Sequence, residues 1–81
     1  MIRILFFAQI KEVIGVGEYQ VSGDFKTAAQ LRDHLATLGD KWALALQEGK
    51  LLMAINQTLS EWDAPISDGD EVAFFPPVTG G

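Results

Sequence analysis

Cysteine is absent from the 81-residue chain, which excludes a disulfide framework, a thiolate metal cage and an internal cysteine nucleophile. Any sulfur chemistry has to use sulfur brought from elsewhere. Basic residues are scarce: six Lys and Arg stand against eleven Asp and Glu, for a formal charge of −5. Nucleic-acid backbones are held by clustered cations, so this balance argues against a nucleic-acid partner and for basic protein surfaces. Histidine occurs once; His34 has no second histidine at ligand spacing and reads as a surface residue, so no metal site is expected. "DGDE" (Asp68 to Glu71) lacks the remaining ligand positions of a calcium loop and reads as a tight turn. Long apolar runs are missing too. The opening "MIRILFFAQIKEV" meets Lys11 and Glu12 before it reaches the length of a leader or a membrane span, so a cytoplasmic protein without a membrane partner is expected.

What is present fits one small domain. Hydrophobic residues make up 48% and charged residues 21% of the chain, which is ordinary for a folded protein. A chain of this size buries roughly 60% of its unfolded surface. Ile2 to Ala8 is a strand-length run with Ile2, Ile4 and Phe6 on one face and Arg3, Leu5 and Phe7 on the other. Gly15 and Gly17 bracket a turn, and Glu18 to Ser22 returns as a second strand, giving an N-terminal hairpin. Thr27 and Gln30 have capping-box spacing ahead of a helix whose Ala28, Leu31, Leu35 and Leu38 share one face, with Gly39 as a left-handed stop. Trp42 to Gln47 reads as a short helical turn, Lys50 to Asn56 as a strand turning at Asn56 and Gln57, and Glu71 to Phe75 as the last strand. The order describes an α+β roll in which one main helix covers one face of a mixed sheet. Because the first strand is apolar on both sides, it belongs at the sheet centre, parallel to the last strand. Val72 and Phe74 then lie beneath the helix, and Leu5, Phe7, Ala73 and Phe75 form an opposite, uncovered face. A patch of that kind marks an interface, and Leu59 extends it.

The chain closes with "FFPPVTGG". Pro76 and Pro77 lack a backbone donor and fix φ, so the strand must stop and the chain must project. Residues 1–75 form the domain and residues 76–81 a tail that reaches about 20 Å when extended. Val78 and Thr79 follow this stiff base, and Gly80 and Gly81, without Cβ atoms, can pass a narrow channel and leave the final carboxyl unshielded. A carboxylate reacts only after activation, for which an ATP-derived acyl-adenylate serves. Capture by a lysine would then make the chain a protein tag. Capture by sulfide sulfur would leave a terminal thiocarboxylate.

Asn56 and Gln57, "DGDEVAFFPPV" from Asp68 to Val78, the closing Gly80 and Gly81, the opening "ILFFAQIKEVIG" and "LRDHL" in the helix together resemble the small, sulfur-carrier subunits of molybdopterin synthase. The resemblance runs from end to end and implies the β-grasp fold shared with ubiquitin. It also implies a cycle. An adenylyltransferase of the ubiquitin-activating kind uses ATP to adenylate Gly81, persulfide-dependent sulfur transfer makes the thiocarboxylate, and the tail enters the large synthase subunit. There it gives sulfur to cyclic pyranopterin monophosphate, two deliveries building the dithiolene. Catalytic side chains would sit on the large subunit, in a heterotetramer of two small and two large chains, and this chain would bind no cofactor itself. Phe7, Leu59 and Phe75 are the residues expected to dock, with Pro76, Pro77, Val78 and Thr79 in the tail. The competing readings are a sulfur carrier for thiamine synthesis, which is typically shorter, a ubiquitin-like modifier joined to lysines, and a binding module with an inert tail.

Overall fold

The computed structural model describes residues 1–47, 49 and 51–77. Five strands and three helices follow in the order β1 (Ile2–Phe6), α1 (Ala8–Ile14), β2 (Glu18–Val21), α2 (Ala28–Ala36), α3 (Asp40–Ala45), β3 (Leu52–Ile55), β4 (Thr58–Leu59) and β5 (Glu71–Phe75). The sheet order is β2-β1-β5-β3-β4. As its two-sided apolar pattern requires, β1 is an interior strand, antiparallel to β2 and parallel to the central β5, with Arg3 opposite Glu71 and Phe6 opposite Phe74. This is a mixed-sheet α+β roll of the β-grasp kind.

Alternation along the strands sorts the residues. Ile2, Ile4, Phe6, Met53, Val72 and Phe74 are buried on one face, with Leu31 and Leu35 of α2 and Leu46 after α3 packed into the same core. Each fully buried side chain of this size contributes roughly 1.5–3 kcal/mol of transfer free energy. Aromatic rings run through that core in a connected series. Tyr19 meets Trp42 at 5.1 Å between centroids, Trp42 meets Phe6 at 5.5 Å, Phe6 stacks on Phe74 at 6.0 Å, and Phe74 stacks on Trp62 at 6.2 Å.

The structure corrects the local expectations in three places. The N-terminal pair of strands is not a simple hairpin: a helix, α1, stands between them and buries Ile10 and Ile14 against the core. The first strand accordingly ends at Phe6, and Ala8, at φ 53°, turns the chain off the sheet into the helix. Helix α2 ends at Ala36, and Gly39 is not its left-handed stop. Gly39 is extended, at φ 166° and ψ 170°, and precedes α3 as its N-cap; α2 is closed by Thr37, whose hydroxyl donates to the His34 carbonyl at 2.6 Å. The covered face therefore carries three helices where one main helix and a short helical turn are expected. At its other end α2 starts as the sequence indicates. The Thr27 hydroxyl accepts from the Gln30 N–H at 3.3 Å, while the Gln30 side-chain oxygen accepts from Lys26 N–H at 2.9 Å instead of closing the box on Thr27.

Candidate functional site

The helices all lie on one side, and the other face of the sheet is left bare. Its residues line up across the strands. Leu5 pairs with Ala73, Ala73 with Ala54, and Ala54 with Leu59, making one row that crosses from β1 to β4. A second row begins at Leu52, which pairs with Phe75. Phe7 completes that row: its N–H donates to the Phe74 carbonyl at 3.2 Å, extending the β1–β5 ladder one residue past the strand. Phe7 stands 48% exposed and Leu59 66% exposed, whereas Phe75 is half-buried between its neighbours. The three aromatic and aliphatic residues singled out in the sequence thus occupy one apolar surface, together with Leu52 and Ala54, which were not foreseen. Their alternation with Met53 and Ile55 carries the signal, but only once β3 is placed beside β5.

Charges bound this surface on one side. The Arg3 guanidinium reaches Glu18 at 3.2 Å and Glu71 at 3.4 Å, so one cation bridges carboxylates from both neighbouring strands. The Glu18 carboxylate, by hydrogen bond and then by charge, holds the guanidinium above its ordinary pKa against the opposing effect of desolvation, and Glu71 adds the least. A basic group stabilised in this way keeps its charge throughout the neutral range, so protonation does not switch this edge.

The start of β5 is clamped by the turn at Asn56 and Gln57. Asn56 N–H donates to the Glu71 carbonyl at 2.7 Å, its side-chain oxygen accepts from Glu71 N–H at 3.0 Å, and its amide donates to Asp70 at 3.1 Å. Asp70 in turn accepts from Ser67 N–H at 2.8 Å, which with Gly69 at φ 92° makes "DGDE" the tight turn expected of it. The two sequence motifs are therefore one structural device that sets where β5 begins. Strand β5 ends at Phe75, Pro76 is half-buried, and Pro77 is exposed. Val78, Thr79, Gly80 and Gly81, expected in the tail, lie outside the described residues. Among the described residues no group of three or more His, Cys, Asp or Glu is arranged to hold a metal ion, and no helix is long and apolar enough to cross a membrane.

What this geometry offers is an apolar, partly exposed face whose last aromatic residue, Phe75, immediately precedes Pro76 and Pro77. Residues 4–81 match the ThiS family. The chain is 59% identical to the molybdopterin synthase sulfur carrier subunit of Escherichia coli, with all of both chains covered. Among solved structures it resembles SAMP1 from Haloferax volcanii, at 25% identity and a TM-score of 0.77, covering 99% of this chain and 98% of that one. It also resembles a chain in the protein–protein complex of subunits 1 and 2 of the molybdopterin-converting factor from Helicobacter pylori, at 27% identity and a TM-score of 0.67, covering 99% and 97%.

Proposed function

The chain belongs to the ThiS family, as a sulfur carrier subunit of the molybdopterin synthase type, and from this premise we propose that the sulfur travels on the terminal carbonyl of Gly81. The observation that carries the reading is the continuity of β5: the strand that supplies Ala73 and Phe75 to the bare face runs directly into Pro76 and Pro77. A partner that grips the face also aims the tail.

The steps are limited by chemistry. The Gly81 carboxylate is a poor electrophile and is first joined to AMP by an ATP-using adenylyltransferase, with pyrophosphate leaving. Persulfide sulfur from a donor then displaces AMP to give an acyl disulfide, and a second thiol of that donor attacks its sulfur–sulfur bond, leaving the thiocarboxylate on Gly81 and a disulfide on the donor. Being ionised and nucleophilic at neutral pH, for the reason that thiolates outrank thiols, that group attacks a carbon of cyclic pyranopterin monophosphate in the large subunit, forming a carbon–sulfur bond as a carbon–oxygen bond of the acceptor breaks and its oxygen departs. Water releases Gly81 as a carboxylate, and a second carrier repeats the delivery to complete the dithiolene. This chain contributes binding, aim and sulfur. The catalytic side chains belong to the large subunit, the nucleotide to the activating enzyme, and the two-by-two assembly to the cytoplasm. Phe7, Leu59 and Phe75 make the docking contacts, and Gly80 gives the slender approach.

The resemblance to SAMP1, a small archaeal modifier protein, favours one other use of the activated end, capture by a lysine. Intact mass of the protein recovered from cells with an active sulfur pathway, followed by fragmentation, separates the two. Replacement of one oxygen by sulfur, confined to Gly81, is the expected result. Gly81 joined to lysines of other proteins, with no thiocarboxylate form even after incubation with ATP, activating enzyme and sulfur donor, overturns it.

A further inference from the structure

Around the corner from Phe75 the surface folds into a recess of about 150 Å³, lined by Gln9, Ile10 and Val13 of α1, Leu44 and Ala45 of α3, and Pro76. Pro76, the residue after Phe75, forms part of its wall and Pro77 is exposed, so the recess adjoins the end of β5. Leu44, at the recess, is 61% exposed. Trp42 and Ala45 of α3 pack against the core, whereas Leu44 does not join it. An apolar cavity of about 150 Å³ accepts a benzene-sized group, which is the size of a phenyl or leucyl side chain. Gln9 supplies an amide to the lining, and Glu12, three residues further on the same side of α1, is exposed.

We propose that this recess is a second docking site for the large synthase subunit, taking one leucine- or phenylalanine-sized side chain of that subunit, with a basic residue beside it opposite Glu12. The inference rests on the reading of the bare sheet face as the primary docking surface. Pro76 lines the recess and directly follows Phe75 of that face, so a protein holding both would clamp the tail at its root from two sides. The large subunit has most to gain from such a clamp, because there the tail must hold its reactive end within reach of a small acceptor, and misplacement by about 1 Å can cost 10²-fold in rate. The chain's formal charge of −5 suits a basic partner surface.

Two measurements on the full chain test this. The first follows the methyl resonances of Val13 and Leu44 by NMR as the large subunit is added; they are expected to shift. The second compares large-subunit affinity for the native chain, Leu44→Asp and Leu44→Ala, with Phe75→Asp as reference and thermal melting as the check on folding. Leu44→Asp is expected to weaken binding about tenfold and Leu44→Ala less, as truncation or charging of a desolvated anchor does. Native affinity in both Leu44 variants while Phe75→Asp binds weakly would overturn the second site and leave the carrier reading intact. Native affinity in Phe75→Asp as well would remove the primary face and this proposal with it. Methyl shifts produced in the isolated chain by deleting residues 78–81 would assign the recess to the chain's own tail, and shifts that depend on concentration would assign it to a second copy; either result overturns the proposal.

Discussion

Asn56 and Gln57 occupy left-handed backbone, at φ 49° and 70°, as the two central positions of a tight turn between antiparallel strands demand. Asparagine tolerates that region because its short side chain bonds locally, and here it also ties down Asp70 and Glu71. Glutamine has no such compensation, and a left-handed residue with a Cβ carries a cost of roughly 1–2 kcal/mol. Gln57→Gly is therefore expected to raise the urea midpoint without changing the slope, by about 0.5–1 kcal/mol after the extra unfolded-state freedom of glycine is subtracted. The position of this turn is legible in the sequence. Its clamp on β5 is not, because the partners lie 14 and 15 residues away and no local spacing announces them.

At the level of elements, α2 and β5 can be read in advance because each is long or strongly patterned enough to have one interpretation: Leu31 and Leu35 fall one turn apart, and Val72 and Phe74 alternate with Ala73 and Phe75. Helix α1 is different. Its seven residues place Ile10, Val13 and Ile14 at helical intervals, but so short a segment between a strand and two glycines fits a hairpin arm equally well. A helix of that length is marginal alone in water; tertiary packing decides, through Ile10 at 4% and Ile14 at 9% exposure. Ile10→Ala should thus destabilise the protein by about 2–4 kcal/mol, the usual cost of an unfilled core site, measured by urea unfolding. That is a large share of the roughly 5–15 kcal/mol available to a domain.

Across the whole molecule, the helices pack on one face of the sheet and the other face is left bare, and β5 runs on into Pro76 and Pro77. Phe7, Leu59 and Phe75 could be named from the sequence because strand alternation and the parallel β1–β5 pairing place two of them, while Leu52 and Ala54 depend on β3 lying next to β5, a long-range fact. Since the reactive carbonyl is proposed to be the last atom group of the chain, adding one residue after Gly81 is expected to abolish sulfur delivery while leaving large-subunit binding within about threefold, because side chains of the desolvated face dominate affinity. Parallel activity and titration measurements check both halves. The aromatic series through the core has a practical corollary. Trp42 touches Tyr19 and Phe6 at one end, and Trp62 stacks on Phe74 at the other, so the indoles flank the paired strands β1 and β5. Their ultraviolet emission shifts to longer wavelength when water reaches them, which gives the protein a built-in, label-free optical gauge of whether that centre is intact.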